Sequence, residues 1–201
     1  MKTLQYSFFI AIASLLMAAD CSNDDAEFYN DVFINVPDLV EIETRPSYVV
    51  GDLLWINTIA MRRYVDEAGQ NTRLDLLRSS GYAPSYSFTY LLERKTSGDN
   101  WEVVNLQNSL VANSPEMMGS AVAADFVFAT SKYNPLTETY DYRNAIRFEQ
   151  PGDYRLSFGY NSASVNSVEL RSDSFGNNLF VNINSSNSDI DSQGYYYITV
   201  N

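Results

Sequence analysis

The chain has 201 residues, and its 13 Lys+Arg against 25 Asp+Glu leave a formal net charge of -12. A field of that sign repels phosphate backbones, which excludes nucleic acid as an expected partner; it also repels bare anionic lipid, so membrane association needs a device other than basic patches. With no histidine and a single cysteine, the chain lacks His-based dyads and triads, nearly every type of catalytic zinc site, internal disulfides and thiolate clusters, and no cofactor is implied.

In chain order the first element is an address. Lys2 supplies a minimal positive start, and Phe8 to Ala19 form an apolar run of twelve residues. A transmembrane helix needs about 20, so the run reads as the hydrophobic part of a secretory signal over residues 1–20. Ala18-Ala19-Asp20-Cys21 then resembles the lipobox of bacterial lipoproteins, in the loose form usual in Bacteroidota, with Ala18 and Asp20 where the stricter pattern has Leu and a small residue. The resemblance implies that Cys21 is acylated and becomes the new N-terminus. Cys21-Ser22-Asn23-Asp24-Asp25-Ala26-Glu27 resembles the export signal of Bacteroidota surface lipoproteins, in which Ser and acidic residues follow the lipidated cysteine. It implies an outer-membrane lipid anchor with the protein facing the cell exterior, and makes Ser22, Asn23, Asp24 and Asp25 the export signal. Several acyl chains, at about 0.8 kcal/mol per buried methylene, give a lasting anchor where one chain gives a marginal one.

Residues 21–31 read as the lipidated cysteine and an acidic tether, and one domain is expected over residues 32–201. A body of this size buries roughly 70% of the surface its unfolded chain exposes, enough to be stable without metal or disulfide. Its pattern has period two. Strands are expected at Val32–Val36, Leu39–Glu43 and Leu53–Ala60, the last after a Gly51-Asp52 turn. Thr72–Ser79 reads as a turn or two of helix. Tyr86–Arg94 and Trp101–Leu106, separated by Ser97-Gly98-Asp99-Asn100, read as a hairpin. Ser114-Pro115-Glu116 has the form of a helix start, with Ser as cap and Pro in the first turn, and predicts a short helix to about Ala124. Further strands are expected at Asp125–Thr130, Thr139–Glu149, Tyr154–Tyr160, Ser167–Leu170, Leu179–Asn184 and Tyr195–Val200. Many short strands with turn residues between them predict an all-β, antiparallel sandwich.

Gln150-Pro151-Gly152-Asp153-Tyr154-Arg155-Leu156 resembles the approach to strand F of immunoglobulin-like and PKD-like domains. The resemblance implies that the Tyr154 ring packs over the corner and its hydroxyl returns to the backbone, while Leu156 fills the place held by a cysteine in antibody domains. Tyr48-Val49-Val50-Gly51-Asp52-Leu53-Leu54-Trp55 resembles the approach to an early strand of Ig-like lipoproteins of Bacteroidota. Together they imply an immunoglobulin-like β-sandwich, and a fold does not supply a function.

Candidate chemistry is sparse. Glu41/Glu43 and Asp66/Glu67 are neighbouring carboxylates of the kind a glycosidase uses, and are equally what a solvated sheet face carries. Asp189, Asp191, Gln193 and Gly194 partly match a calcium loop, but its twelfth place holds Val200 where an acid is required. Tyr82, Tyr86, Tyr133, Tyr140 and Tyr142 are candidates for stacking on sugars. Tyr195, Tyr196 and Tyr197 are consecutive, so at least one must face away from the core if they form a strand. The expected function is that of a surface-exposed lipoprotein, a non-catalytic binding module for a glycan or an envelope protein. The alternatives are a structural subunit of an outer-membrane complex and a carboxylate-dependent hydrolase. A glycan binder needs aromatic rings beside polar groups, a subunit needs a large apolar patch, and a hydrolase needs converging carboxylates.

Overall fold

The computed structural model describes residues 30–58, 61–70, 73–111, 114–158, 167–174, 177–184 and 190–201. The chain divides into a unit Met1–Asn30 and a unit Asp31–Asn201. Cys21, the export residues Ser22, Asn23, Asp24 and Asp25, and Asp189 lie outside the described residues. No helix among the described residues is long and apolar enough to cross a membrane.

The protein is all-β. Among the described residues fifteen strands, β1 (Asn30–Asn35), β2 (Glu41–Glu43), β3 (Leu53–Asn57), β4 (Tyr64–Asp66), β5 (Arg73–Asp75), β6 (Ser85–Lys95), β7 (Trp101–Val103), β8 (Ser120–Ala123), β9 (Val127–Asn134), β10 (Thr139–Asp141), β11 (Arg143–Arg147), β12 (Gly152–Ser157), β13 (Ser167–Ser172), β14 (Asn177–Asn184) and β15 (Tyr196–Val200), are accompanied by one helical turn, α1 (Leu76–Ser79). A large sheet runs β1-β14-β13-β6-β12-β15, with β7 and β9 also paired to β6 and with β8 and β10 paired to β9. A smaller sheet runs β11-β3-β2, and β4 pairs with β5. All of these ladders with a resolved register are antiparallel. One parallel bridge, Tyr48 to Val200, ties the segment before β3 to the last strand.

β6 organises the large sheet because it is long enough to serve two sets of partners. Ser87 lies between Thr130 of β9 and Arg171 of β13, and Glu93 lies between Val103 of β7 and Arg155 of β12. Alternation along its pleat sends Tyr86, Phe88, Tyr90 and Leu92 into the core. There they join Leu54 and Ile56 of β3, Ile146 of β11, Leu156 of β12 and Ile198 of β15 in one apolar cluster. The buried tyrosines keep their hydroxyls paired: Tyr86 donates to the Leu76 carbonyl at 3.0 Å, Tyr140 to the Ala83 carbonyl at 3.1 Å, and Tyr90 and Tyr142 share a bond of 2.7 Å. Burial pushes all four phenols above their ordinary range.

The expected hairpin is present, with Lys95 opposite Trp101. The expected helix over 114–124 is not: Ser120–Ala123 is strand β8, paired to β9. The reason is tertiary. Met118 exchanges backbone hydrogen bonds with Arg143, both 3.0 Å, and Gly119 at φ 72° turns the chain between that bridge and β8. The helix expected from Thr72 is reduced to α1, started by the Asp75 side chain accepting from the Arg78 amide. The single strand expected over Thr139–Glu149 is two, β10 and β11, which pair in different sheets.

Candidate functional site

The side of β6 that faces away from the core carries Ser87, Thr89, Leu91, Glu93 and Lys95, by the same alternation that buries Tyr86, Phe88, Tyr90 and Leu92. Its neighbours in register complete an outward face. At the start of β6, Thr89 lies opposite Phe128 and Ser87 opposite both Thr130 and Arg171. Ser87 and Thr89 are buried polar residues at the floor of a cleft of about 490 Å³. Phe128, Glu169, Arg171 and Asp173 stand around that floor. The Asp173 amide donates to the Ser85 carbonyl at 3.0 Å, and its carboxylate accepts from the Ser85 hydroxyl at 2.6 Å and the Ser87 hydroxyl at 3.1 Å. Arg171 sits 5.6 Å over the Phe180 ring, which stacks on Phe33 at 4.8 Å and 10°. Burial raises the Glu169 carboxyl above its ordinary range, opposed by the charge of Arg171.

Toward the far end of β6 the same face changes character. Arg155 donates to Glu93 at 2.5 Å and is sandwiched by rings, 4.7 Å over Trp101 and 4.0 Å over Tyr195. Trp101 meets Tyr197 edge-on at 5.9 Å, and Lys95 lies 5.9 Å over Trp101 and 3.6 Å from Asp99. A groove of about 250 Å³ runs between Lys95, Trp101, Asp153, Tyr197 and Thr199. Tyr197 is 48% exposed while Tyr196 is buried, the split that consecutive tyrosines in a strand require.

The other sequence candidates resolve differently. Tyr86, Tyr140 and Tyr142 are core residues, Tyr133 is half-buried against Tyr140, and Tyr82 is exposed in a loop at φ 64°. Glu43 is engaged by Arg143 through two bonds, 2.8 and 3.0 Å, and by Asn57 at 3.2 Å, whereas Glu41 is exposed. The Arg143 bonds hold the Glu43 carboxyl below its ordinary range. Asp66 ends β4 and Glu67 begins the following turn; β4 and β5 are strands the sequence pattern did not reveal. Asp191 spends one oxygen on its own turn, accepting from the amides of Gln193 and Tyr195 at 2.9 Å each. Among the described residues no cluster of three acidic or cysteine side chains could hold a metal ion.

The face on β6 was only partly legible beforehand. The alternation over Ser87–Lys95 marks its polar side, but Phe128, Arg171 and Arg155 reach it through pairings of distant strands. No protein-family model, no curated protein and no solved structure matches the chain.

Proposed function

We propose that this chain is an outer-membrane surface lipoprotein, anchored through acylated Cys21, whose immunoglobulin-like domain binds a glycan without catalysis. The observation that carries the binding reading is the cleft on β6. Hydroxyls form its floor, Asp173 and Glu169 offer acceptors for sugar hydroxyls, and Phe128 and Arg171 border it. Sugars present both hydroxyls and apolar ring faces, so a concave site mixing these groups suits them. The exposed apolar side chains of the face are interspersed with charged ones, unlike the broad apolar core of an obligate protein interface.

The immunoglobulin-like reading is supported by the order β7-β6-β12-β15 and a separate β2-β3-β11 sheet that share one apolar cluster, with Tyr48 bridged in parallel to the last strand. It is supported also by the Tyr154 hydroxyl, which donates to the Gln150 carbonyl at 2.8 Å, as a tyrosine corner does. The anchor and its outward orientation rest on the run before Cys21 and on Ser22, Asn23, Asp24 and Asp25 after it.

A second reading has one observation in its favour: Glu169, with its raised carboxyl, and Asp173 border one cleft, and a hydrolase divides acid and base roles between two such groups. Both readings meet one experiment. On an array of neutral and acidic glycans the protein should bind neutral ones, lose binding in Phe128→Ala and Arg171→Ala, and release no product. Failure to bind any arrayed glycan would sink the first reading. Hydrolysis abolished by Glu169→Gln would replace it with the second.

A further inference from the structure

The two ends of the outward face lie on one strand, and this fixes the size of what can occupy it. From Ser87 to Lys95 is eight steps along β6, about 26 Å at 3.3 Å per residue. Both ends have a depression: the 490 Å³ cleft beside Phe128 and the 250 Å³ groove beside Tyr197. Between them lie Leu91 and Ser157, directly paired, with Ser157 buried, so among the described residues the middle of the face carries no large exposed ring. We infer that the occupant is an extended neutral oligosaccharide lying along β6 and filling both depressions, an inference that rests on the glycan reading above.

Charge selects a neutral polymer. The cations on the face have carboxylates near them: Arg155 bonds Glu93, Lys95 lies 3.6 Å from Asp99, Arg171 follows Glu169 on the same side of β13, and Lys132, opposite Ser85, has Asp141 of β10 as its other cross-strand neighbour. A polyanion therefore finds no uncompensated positive strip there, and the whole-chain charge of -12 repels it further. The far end is also built before any ligand arrives. Arg155 is clamped between Trp101 and Tyr195 and bonded to Glu93, so little side-chain freedom is left to lose on binding. Rings offer contact area at low entropic cost, and Tyr197 is the ring whose surface is open. A ligand held at one depression reaches the second as an intramolecular event, which raises affinity by about 10²-fold or more when its length matches the span.

The test uses the full chain in detergent and titration calorimetry with xylo-, manno- and cello-oligosaccharides of two and six units. The hexasaccharide of whichever sugar binds should be held at least about 10²-fold more tightly than its disaccharide. Tyr197→Ala should erase most of that advantage, whereas Tyr197→Phe, which keeps the ring, should behave as wild type. Equal affinity for both lengths, or a Tyr197→Ala chain that keeps the full advantage, would overturn the extended mode and leave the glycan reading standing. Polygalacturonate bound more tightly than every neutral hexasaccharide would overturn the neutral assignment. No heat from any of the six neutral probes or from polygalacturonate would count against this inference and the glycan reading alike.

Discussion

Tyr154 sits on the turn made by Pro151 and Gly152, its ring 5.3 Å from Phe148 and its hydroxyl on the Gln150 carbonyl. The hydroxyl's contribution is one hydrogen bond, so Tyr154→Phe should lower the unfolding free energy by about 1 kcal/mol in denaturant titration. An unchanged midpoint would mean that the bond contributes nothing net. Gly119 is a sharper case. It has φ 72°, and a Cβ there would lie 2.4 Å from the Thr130 carbonyl oxygen, which is backbone and cannot swing aside. Gly119→Ala should cost about 3 kcal/mol, the combined toll of left-handed backbone and overpacking, read as a lowered thermal midpoint. The tyrosine was legible in the sequence because Pro-Gly three and two positions before it form a local pattern. The glycine was not, because its constraint is imposed by strand β9.

Arg143 links elements that are far apart in the chain. It opens β11, stacks 3.9 Å over Trp55 of β3, grips Glu43 of β2 in a two-bond fork and reaches Glu116 in the preceding segment at 2.6 Å. A matching pin at the two-stranded sheet joins Arg63 to Asp75 and Glu138. Glu43 and Asp75 are both held below the ordinary carboxylate range, first by the hydrogen bonds from their arginines. Their contribution is thus complete above the unfolded carboxylate range and is lost as pH falls from about 4 through their lowered values. Stability measured against pH should fall over that window. Glu43→Gln should be less stable than wild type at pH 7, and the gap should close in strong acid. A gap that stays constant with pH would show that the fork contributes packing and no charge. At this scale strand positions were largely readable from alternation, as β6 and β7 illustrate. The Ser114-Pro115-Glu116 signal misled because local capping chemistry yielded to pairing of Met118 with Arg143 and of β8 with β9.

For the whole molecule, the address proposed for the first residues has its own tests. Labelled palmitate should enter the wild type and not Cys21→Ser; equal labelling of the two would end the anchor assignment. Protease added to intact cells should remove the domain from wild type and spare a chain with Asp24→Ala and Asp25→Ala, which stays anchored on the inner side. Protection of the wild type would end the outward assignment. Composition made the all-β class readable, since tyrosine and phenylalanine abound and helix starts are few. The outward face of β6 was less readable, because Phe128, Arg155 and Arg171 lie on three different strands and only the pairing of those strands with β6 assembles them.

β6 has neighbours on both edges in both of its halves, and almost all of them come from remote parts of the chain. Its amides therefore cannot open to solvent one at a time; releasing them means separating several strands together. In deuterated water the amides of Phe88 to Glu93 should be the last to exchange, at a rate set by global opening, while those of the short, peripheral β4 and β5 exchange far earlier through local fraying. The same remoteness delays formation. Only the β7 hairpin is local to β6, so the strand can acquire its other partners only after long loops have closed, and refolding from denaturant should proceed in the slow, millisecond-to-second regime of proteins dominated by non-local pairing.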